Sequence, residues 1–422
     1  MTGLYTCIIH IYGLLIRFAS LFNKKAKQWL TDRHNWKSAL QHFTNNNSKP
    51  IIWIHCASVG ECEQILPLIQ KLQHYKSHHA FVITFFSPSG IQYFKNLNIA
   101  DVILPLPLDT PLQAQFFCKT LNPKMVIFVK YEFWLNFLWT LKALHTPVIL
   151  ACAVFKAHHI FFKFYGGLFK SILPDFKFIF TQDHISEQAL TRAFKSLNNI
   201  ITVGDSRMDR VLEIKQQNFK DAIISDFCKN SPLVIIGGST WPADNQLLLN
   251  AFKCLKNTLL TAKLILAPHE CDVSHIQKAI ILAKKLKLNL VLWSNAQIKE
   301  PIDTADVMIL DTYGLLSKIY RYGHLAYVGG GFNGGLHNVL EPAVYHLPLT
   351  FSDPHYDRFN EAELLIKHQF AKFCTNADTL CAAWKFQYKQ LSDRLYIERY
   401  NTLIMSQTGS AMRMYERLEP LL

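Results

Sequence analysis

From residue 50 onward the chain repeats one pattern: a short apolar run, a polar turn, then a stretch with helical periodicity. The runs 51–55 (IIWIH), 81–86, 102–105, 125–129, 148–152, 178–181 and 201–204 read as buried strands, and 64–75 reads as the first intervening helix. Strands with no polar face need cover on both sides, so the pattern implies a parallel sheet sandwiched by helices. After 204 the sequence turns polar and helix-like over 213–229, which places a domain boundary there. The rhythm then restarts with strands at 233–236, 263–267, 290–293, 307–310 and 325–328 and helices at 245–255 and 315–321; from 358 the chain reads as mostly helical. The expectation is an α/β protein of two Rossmann-like, doubly wound domains, 31–210 and 211–422, whose strand-end turns face a common cleft. With 422 residues there is ample surface to bury two cores.

Residues 1–30 stand apart. Leu4 to Phe22 is strongly apolar, interrupted by His10 and Arg17, and Lys24, Lys25 and Lys27 follow. The length approaches that of a membrane span, and a basic cluster after it favours the cytoplasmic side. No small-residue cleavage site follows, so the segment reads as an uncleaved anchor that spans once or lies in the interface. An amphipathic helix packed on the protein's own surface is the alternative. Lysine plus arginine outnumber acids 44 to 31, a net charge of +13 that favours anionic partners such as phosphorylated molecules or acidic lipids. The basic residues form no aromatic-interleaved stripe, which argues against nucleic acid. The ten cysteines are scattered in apolar runs without a C-x-x-C pair and read as buried free thiols, with no zinc site.

In a doubly wound fold ligands sit beyond the carboxyl ends of strands, so the turns there draw attention. Gly329, Gly330, Gly331, Gly334 and Gly335 follow the strand ending at Val328 and precede His337, Asn338, Glu341 and Pro342. Glycine there allows close backbone approach, and a helix start after it suggests an anion site; a loop that merely needs tight turns is the other reading. Ser58-Val59-Gly60-Glu61 sets a carboxylate at a helix start, either a base near the cleft or only a first-turn capping group. Lys130-Tyr131-Glu132 and Asp205-Ser206-Arg207 place further charge at strand ends; Arg207 suits a leaving phosphate or an ordinary surface salt bridge. In the second half Gly237-Gly238-Ser239-Thr240, Pro268-His269, Tyr313-Gly314 and Asn338-Val339-Leu340-Glu341 line the same edge, and Glu341 is placed to accept ribose hydroxyls. No Asp-x-Asp occurs, so the usual metal-binding device of metal-dependent sugar transferases is missing.

Over nearly its whole length the chain resembles the 3-deoxy-D-manno-oct-2-ulosonic acid (Kdo) transferases of lipid A biosynthesis. The resemblance is carried by IIWIHCASVGECEQILPLI, TFFSPSGIQYF, LPLPLDTP, PKMVIFVKYEFWLN, VGDSRMD, GGSTW, LAPHE, LDTYGLLSKIY and VGGGFNGGLHNVLEPAVYHLPLTFSDPHYDRF. It implies a two-domain GT-B glycosyltransferase fold, CMP-Kdo as donor and a lipid A precursor as acceptor at the anionic cytoplasmic face of the inner membrane. No further cofactor and no metal are implied. By this resemblance Glu61 is the base that takes the proton of the acceptor's 6′-hydroxyl in an inverting transfer. Arg207 falls where many members carry a lysine that stabilises the transition state. Lys130 falls where many carry an acid, K-Y-E-F-W-L-N standing for E-T-E-x-W-P-N, which leaves structural work to Glu132. Nucleotide contacts map to Pro268 and His269, to Tyr313, Gly314 and Leu315, and to Asn338, Val339, Leu340 and Glu341; His269 stands where arginine is common and Leu315 where glutamate is. Another GT-B nucleotide-sugar enzyme, such as a 2-epimerase, and an inactive membrane scaffold on the same fold are the alternatives.

Overall fold

The structure, a computed structural model, describes all residues except Met1, Ala157, Ser196, 298–301, Asp303, Asn333 and Gly334. The chain forms two compact units, one of Met1–Arg210 with Gln407–Leu422 and one of Val211–Ser406. The last residues therefore return to the first unit, which corrects the expectation that everything after 210 makes the second.

In the first unit β1 (Ile51–Cys56), β2 (Ala80–Phe85), β3 (Val102–Pro105), β4 (Met125–Val129), β5 (Val148–Ala153), β6 (Phe178–Thr181) and β7 (Ile200–Thr202) form one sheet in the order β3-β2-β1-β4-β5-β6-β7. All its pairings are parallel. Side chains alternate across each strand, so β1 sends Ile52 and Ile54 to one buried layer and Ile51 and Trp53 to the other. Both layers are dry, which explains the unbroken apolar runs. The returning helix Ser410–Leu418 adds Ala411, Met414 and Leu418 to the Ile52 layer. Asp209 fixes that return by accepting from the backbone N–H groups of Gly409 and, at 2.7 Å, Ala411.

The second unit is built likewise from β8 (Val234–Thr240), β9 (Lys263–Pro268), β10 (Leu290–Leu292), β11 (Val307–Ile309), β12 (Leu325–Val328), β13 (Leu349–Phe351) and β14 (Ala371–Phe373), ordered β10-β11-β9-β8-β12-β13-β14. β13 and β14 went unseen in the sequence. Each has only three residues, too few for a period to register, and they exist because β12 offers an edge to β13 and β13 in turn one to β14. The polar stretch 213–229 is two helices, Ser206–Gln216 and Ala222–Cys228, the second capped by the Asp221 side chain on the N–H of Ile224 at 2.9 Å.

Two turns occupy special places. Strand order reverses between β1 and β4 in one sheet and between β8 and β12 in the other, the positions where doubly wound folds take ligands. The turn after β1 carries Glu61, and the turn after β12 carries the glycines.

The N-terminal helix Thr2–Ala19 is amphipathic. Its inner flank packs on the first unit: the Tyr5 hydroxyl donates to Asp109 Oδ2 at 2.6 Å, Ile9 is buried, and Tyr12 stacks on Phe86 with centroids 6.3 Å apart. Its outer flank exposes Leu4, Ile8, Ile11, Leu15 and Phe18, continued by Leu21 and Phe22. Among the described residues no single helix is long and apolar enough to cross a membrane. The helix belongs to the first unit, so residues 1–30 are not a separate body.

Candidate active site

At the carboxyl edge of the first sheet, Glu61 sits in the first turn of the helix Val59–Leu72. Ser58 enters that helix extended and makes no side-chain cap; instead Glu61 Oε2 reaches back and accepts from the Ala57 N–H. The carboxylate does cap, and it does more. Burial, then the nearby Glu132 carboxylate, push its proton affinity up to about 7, against the opposing pull of the Ala57 and Ser58 N–H groups and of Lys130. A carboxyl that changes charge near neutrality is matched to general-base work.

Lys130 and Glu132 arrive from the turn after β4. Lys130 takes a left-handed φ of 61° with its N–H donating to the Ala151 carbonyl at 2.8 Å. A non-glycine residue in that region costs energy and is held only by its surroundings. Cys152, on β5 next door, is also left-handed at φ 57°, where the β5–β6 register shifts between Leu150 and Ala153. Burial pushes its thiol up to about 12, and it feels Asp205, Lys130 and Arg207 as neighbours. Glu61, Lys130 and Arg207, distant in sequence, are thus gathered around the ends of β1, β4 and β5. The Arg207 guanidinium grips Asp205 from Nε at 2.9 Å and from its terminal nitrogen at 2.6 Å. Glu132 is held by His55 Nε2 at 3.1 Å and by Trp134 Nε1 at 2.6 Å.

At the second sheet's edge the glycine turn differs from the expected open anion nest. The Gly329 N–H donates to the Gly238 carbonyl at 2.9 Å, the Gly330 N–H to Asp244 Oδ2 at 3.1 Å, and the Leu336 N–H to Asp353 Oδ2 at 2.9 Å. Asp244 also takes the Tyr327 hydroxyl at 2.7 Å and the Trp241 N–H at 2.9 Å. The next helical turn, Leu340–Ala343, is only four residues long and does not start at the glycines. A Cβ on Gly329 would lie 2.4 Å from the Ser239 carbonyl oxygen, and one on Gly331 would lie 2.5 Å from the Asp353 nitrogen. These glycines let three backbone segments meet. Gly334 lies outside the described residues.

The nucleotide candidates lie at this edge. Pro268 ends β9, and the His269 N–H donates to the Thr240 carbonyl at 2.9 Å. The exposed His269 ring stacks between Trp241 and His337, with centroids 4.9 Å and 4.4 Å away. Trp241 Nε1 donates to His337 Nε2 at 3.1 Å, and burial, then His269, depress His337 to about 4, so that ring is neutral at physiological pH. Tyr313 is exposed and its hydroxyl accepts the Cys271 N–H at 2.9 Å; Gly314 follows with φ 84°. Leu315 is half-buried. Asn338 Oδ1 accepts the Leu340 N–H at 3.1 Å and its amide donates to Glu341 at 3.3 Å. The Val339 and Leu340 side chains are buried and pack in the core, which leaves a ligand only their backbone. Asp244, Asp353, Trp241 and His55 were missed in the sequence. Asp244 had a signal, a capping position three residues into a helix; Asp353 had none, because its partner Leu336 is far away in the chain.

Near this edge Glu270, Asp272 and His275 also come together, their ligand atoms within 4.8 Å. Asp272 caps the helix Val273–Lys285 and pairs with His275 Nδ1 at 2.8 Å, which accounts for the group.

Residues 34–210 match the family described as 3-deoxy-D-manno-octulosonic-acid transferase (kdotransferase). A protein of that name from Aquifex aeolicus is 29% identical over 341 residues, 79% of this chain and 84% of its own length. One from Haemophilus influenzae is 26% identical over 439 residues, 99% of this chain and 98% of its own. The chain is thus similar to Kdo transferases over most of its length, and its first unit matches their family model. In three dimensions the chain aligns with a UDP-N-acetylglucosamine 2-epimerase from Listeria monocytogenes described as putative (TM-score 0.61, 11% identity, 87% of this chain and 95% of the other). It also aligns with a glycosyltransferase from Rickettsia africae (TM-score 0.57, 11% identity, 89% and 98%). At such identities the likeness establishes the fold, that of GT-B glycosyltransferases and the related epimerases.

Proposed function

We propose that this protein is a Kdo transferase that moves Kdo from CMP-Kdo to the 6′-hydroxyl of a lipid A precursor, with inversion and without a metal, Glu61 acting as the base. The observation that carries this reading is the Glu61 carboxyl itself: partly buried at a strand-order reversal, poised near neutrality and flanked by Lys130 and Arg207. Glu61 takes the acceptor hydroxyl proton as that oxygen attacks the anomeric carbon of Kdo. The bond to CMP breaks, and the cytidylate leaves with the electron pair. Arg207 and Lys130 supply positive charge for that departure. The aromatic cluster of Trp241, His269 and His337, with His269 exposed, suits a planar nucleobase, and Tyr313, Gly314, Leu315, Asn338 and Glu341 complete a nucleotide site.

The outer flank of the N-terminal helix supports a position in the plane of the membrane interface. Its inner flank is occupied by Tyr5 and Tyr12 contacts, so a helix crossing the bilayer would have to abandon them. Lys24, Lys25 and Lys27, with the net charge of +13, suit the anionic cytoplasmic face of the inner membrane. Incubation with CMP-Kdo and a tetraacylated lipid A precursor should add the mass of one or more Kdo units. Preference for UDP over CMP in a binding assay would instead favour an epimerase-like activity.

A further inference from the structure

Below Glu61 a line of buried polar groups crosses the sheet, and the mechanism above does not use it. Trp53 on β1, Thr84 on β2 and His55 on β1 are all fully buried. Trp53 Nε1 donates to Thr84 Oγ1 at 2.8 Å; His55 Nδ1 lies 2.8 Å from the same oxygen, and His55 Nε2 lies 3.1 Å from Glu132 Oε2. A tryptophan N–H only donates, and an ionised carboxylate only accepts. Those two ends fix the direction of the chain between them. Thr84 accepts from Trp53 and can turn its own hydroxyl hydrogen to His55 Nδ1, while His55 Nε2 carries a hydrogen and donates it to Glu132. The Thr84 carbonyl, 3.2 Å from Nδ1, would be the partner of the opposite tautomer, which would leave Nε2 facing a carboxylate lone pair to lone pair. Trp134 Nε1 gives Glu132 Oε2 a second donor at 2.6 Å.

We propose that the Trp53–Thr84–His55–Glu132 relay is a positioning device that holds the Glu132 carboxylate near Glu61 and thereby sets the pH at which that base acts. The inference rests on the reading of Glu61 as base. His55 and Trp134 fix the Glu132 carboxylate in the turn after β4, the strand paired with the β1 that leads into Glu61, and a like charge nearby makes Glu61 hold its proton more tightly. The other groups around Glu61 are the Ala57 and Ser58 N–H groups of its own turn, Lys130 from the turn after β4, and the Cys56 and Cys62 thiols. Asp205 and Arg207 face Cys152 just beyond. Glu132 and Lys130 act on the base with opposite sign. Glu132 touches no reacting atom in this scheme; it acts through Glu61.

The test is the pH dependence of Kdo transfer in Glu132→Gln, which keeps an oxygen for His55 and Trp134 while removing the charge. The acidic limb of kcat should move down by about one pH unit, with kcat at pH 8 several-fold lower and the KM for CMP-Kdo within twofold of wild type. Thr84→Val should move the limb in the same direction by less, and Thr84→Ser should restore it. An unmoved limb in Glu132→Gln overturns the proposal while leaving Glu61 as base. Full activity in Glu61→Gln would remove the base reading itself. A second measurement needs no turnover: ¹⁵N shifts of His55, assigned by difference from His55→Gln, should show hydrogen on Nε2, and hydrogen on Nδ1 alone would overturn the relay.

Discussion

The turn after β1 and the turn after β12 occupy equivalent places, each at the point where strand order reverses in a parallel sheet, yet they are built for opposite ends. Around the glycine turn Asp244 and Asp353 are buried and engaged: Asp244 takes three donors and Asp353 takes two. Around the β1 turn the acid stays partly accessible, with its proton affinity raised by burial and by a like charge. The conspicuous glycines mark where backbone must touch backbone. The modest S-V-G-E turn carries the titratable group. A saturated carboxylate holds structure, and an unsaturated one is available for chemistry.

That contrast can be broken in order of expected effect. Glu61→Ala should lower the rate of Kdo transfer by about 10²–10⁴-fold, with melting temperature little changed; retention of activity would place the chemistry elsewhere. Asp244→Ala should do the reverse. It orphans the buried N–H groups of Gly330 and Trp241 and the Tyr327 hydroxyl, and should cost about 3–5 kcal/mol in denaturant unfolding of the second unit. If Asp244→Ala were as stable as wild type, the glycine turn would not be the structural one.

The pH dependence separates the two further. Glu61 has its pKa raised from 4.5 to about 7, so the folded state holds that proton more tightly than the unfolded chain. Its stabilising contribution is complete below pH 4.5 and fades as pH rises to about 7, whereas the active base form grows over the same rise. Glu61→Gln should therefore gain about 1–3 kcal/mol relative to wild type between pH 5 and pH 8, seen in paired melting curves, while wild-type transfer climbs through neutrality. A parallel pH trend in both proteins would show that Glu61 is ionised at an ordinary value. The smallest effect is expected at Asp209, whose replacement by Ala should cost about 1–2 kcal/mol by uncapping the returning helix Ser410–Leu418. Hydrogen exchange of that helix would report it.

Both sheets were legible in the sequence because strands buried on two faces must be apolar throughout, and that signal survives without knowing any partner. β13 and β14 were not, since three-residue strands are defined by the neighbour they pair with. Glu61, Lys130 and Arg207 were visible as charges at strand ends, a position that the parallel fold itself makes informative. Which strand lies beside which, and hence that these three gather at the ends of β1, β4 and β5, came only from the strand order. The sequence by itself determined the α/β class, the basic charge and the apolar first helix, all properties summed over local runs. The tertiary structure alone decided that the N-terminal helix has one packed flank and one exposed apolar flank and that the last residues return to the first unit. It also decided that the glycine turn is closed by Asp244 and Asp353, and that Trp53, Thr84, His55 and Glu132 form a line. Those outcomes depend on hydrogen bonds between residues far apart in the chain, and such bonds leave no periodic trace in the sequence.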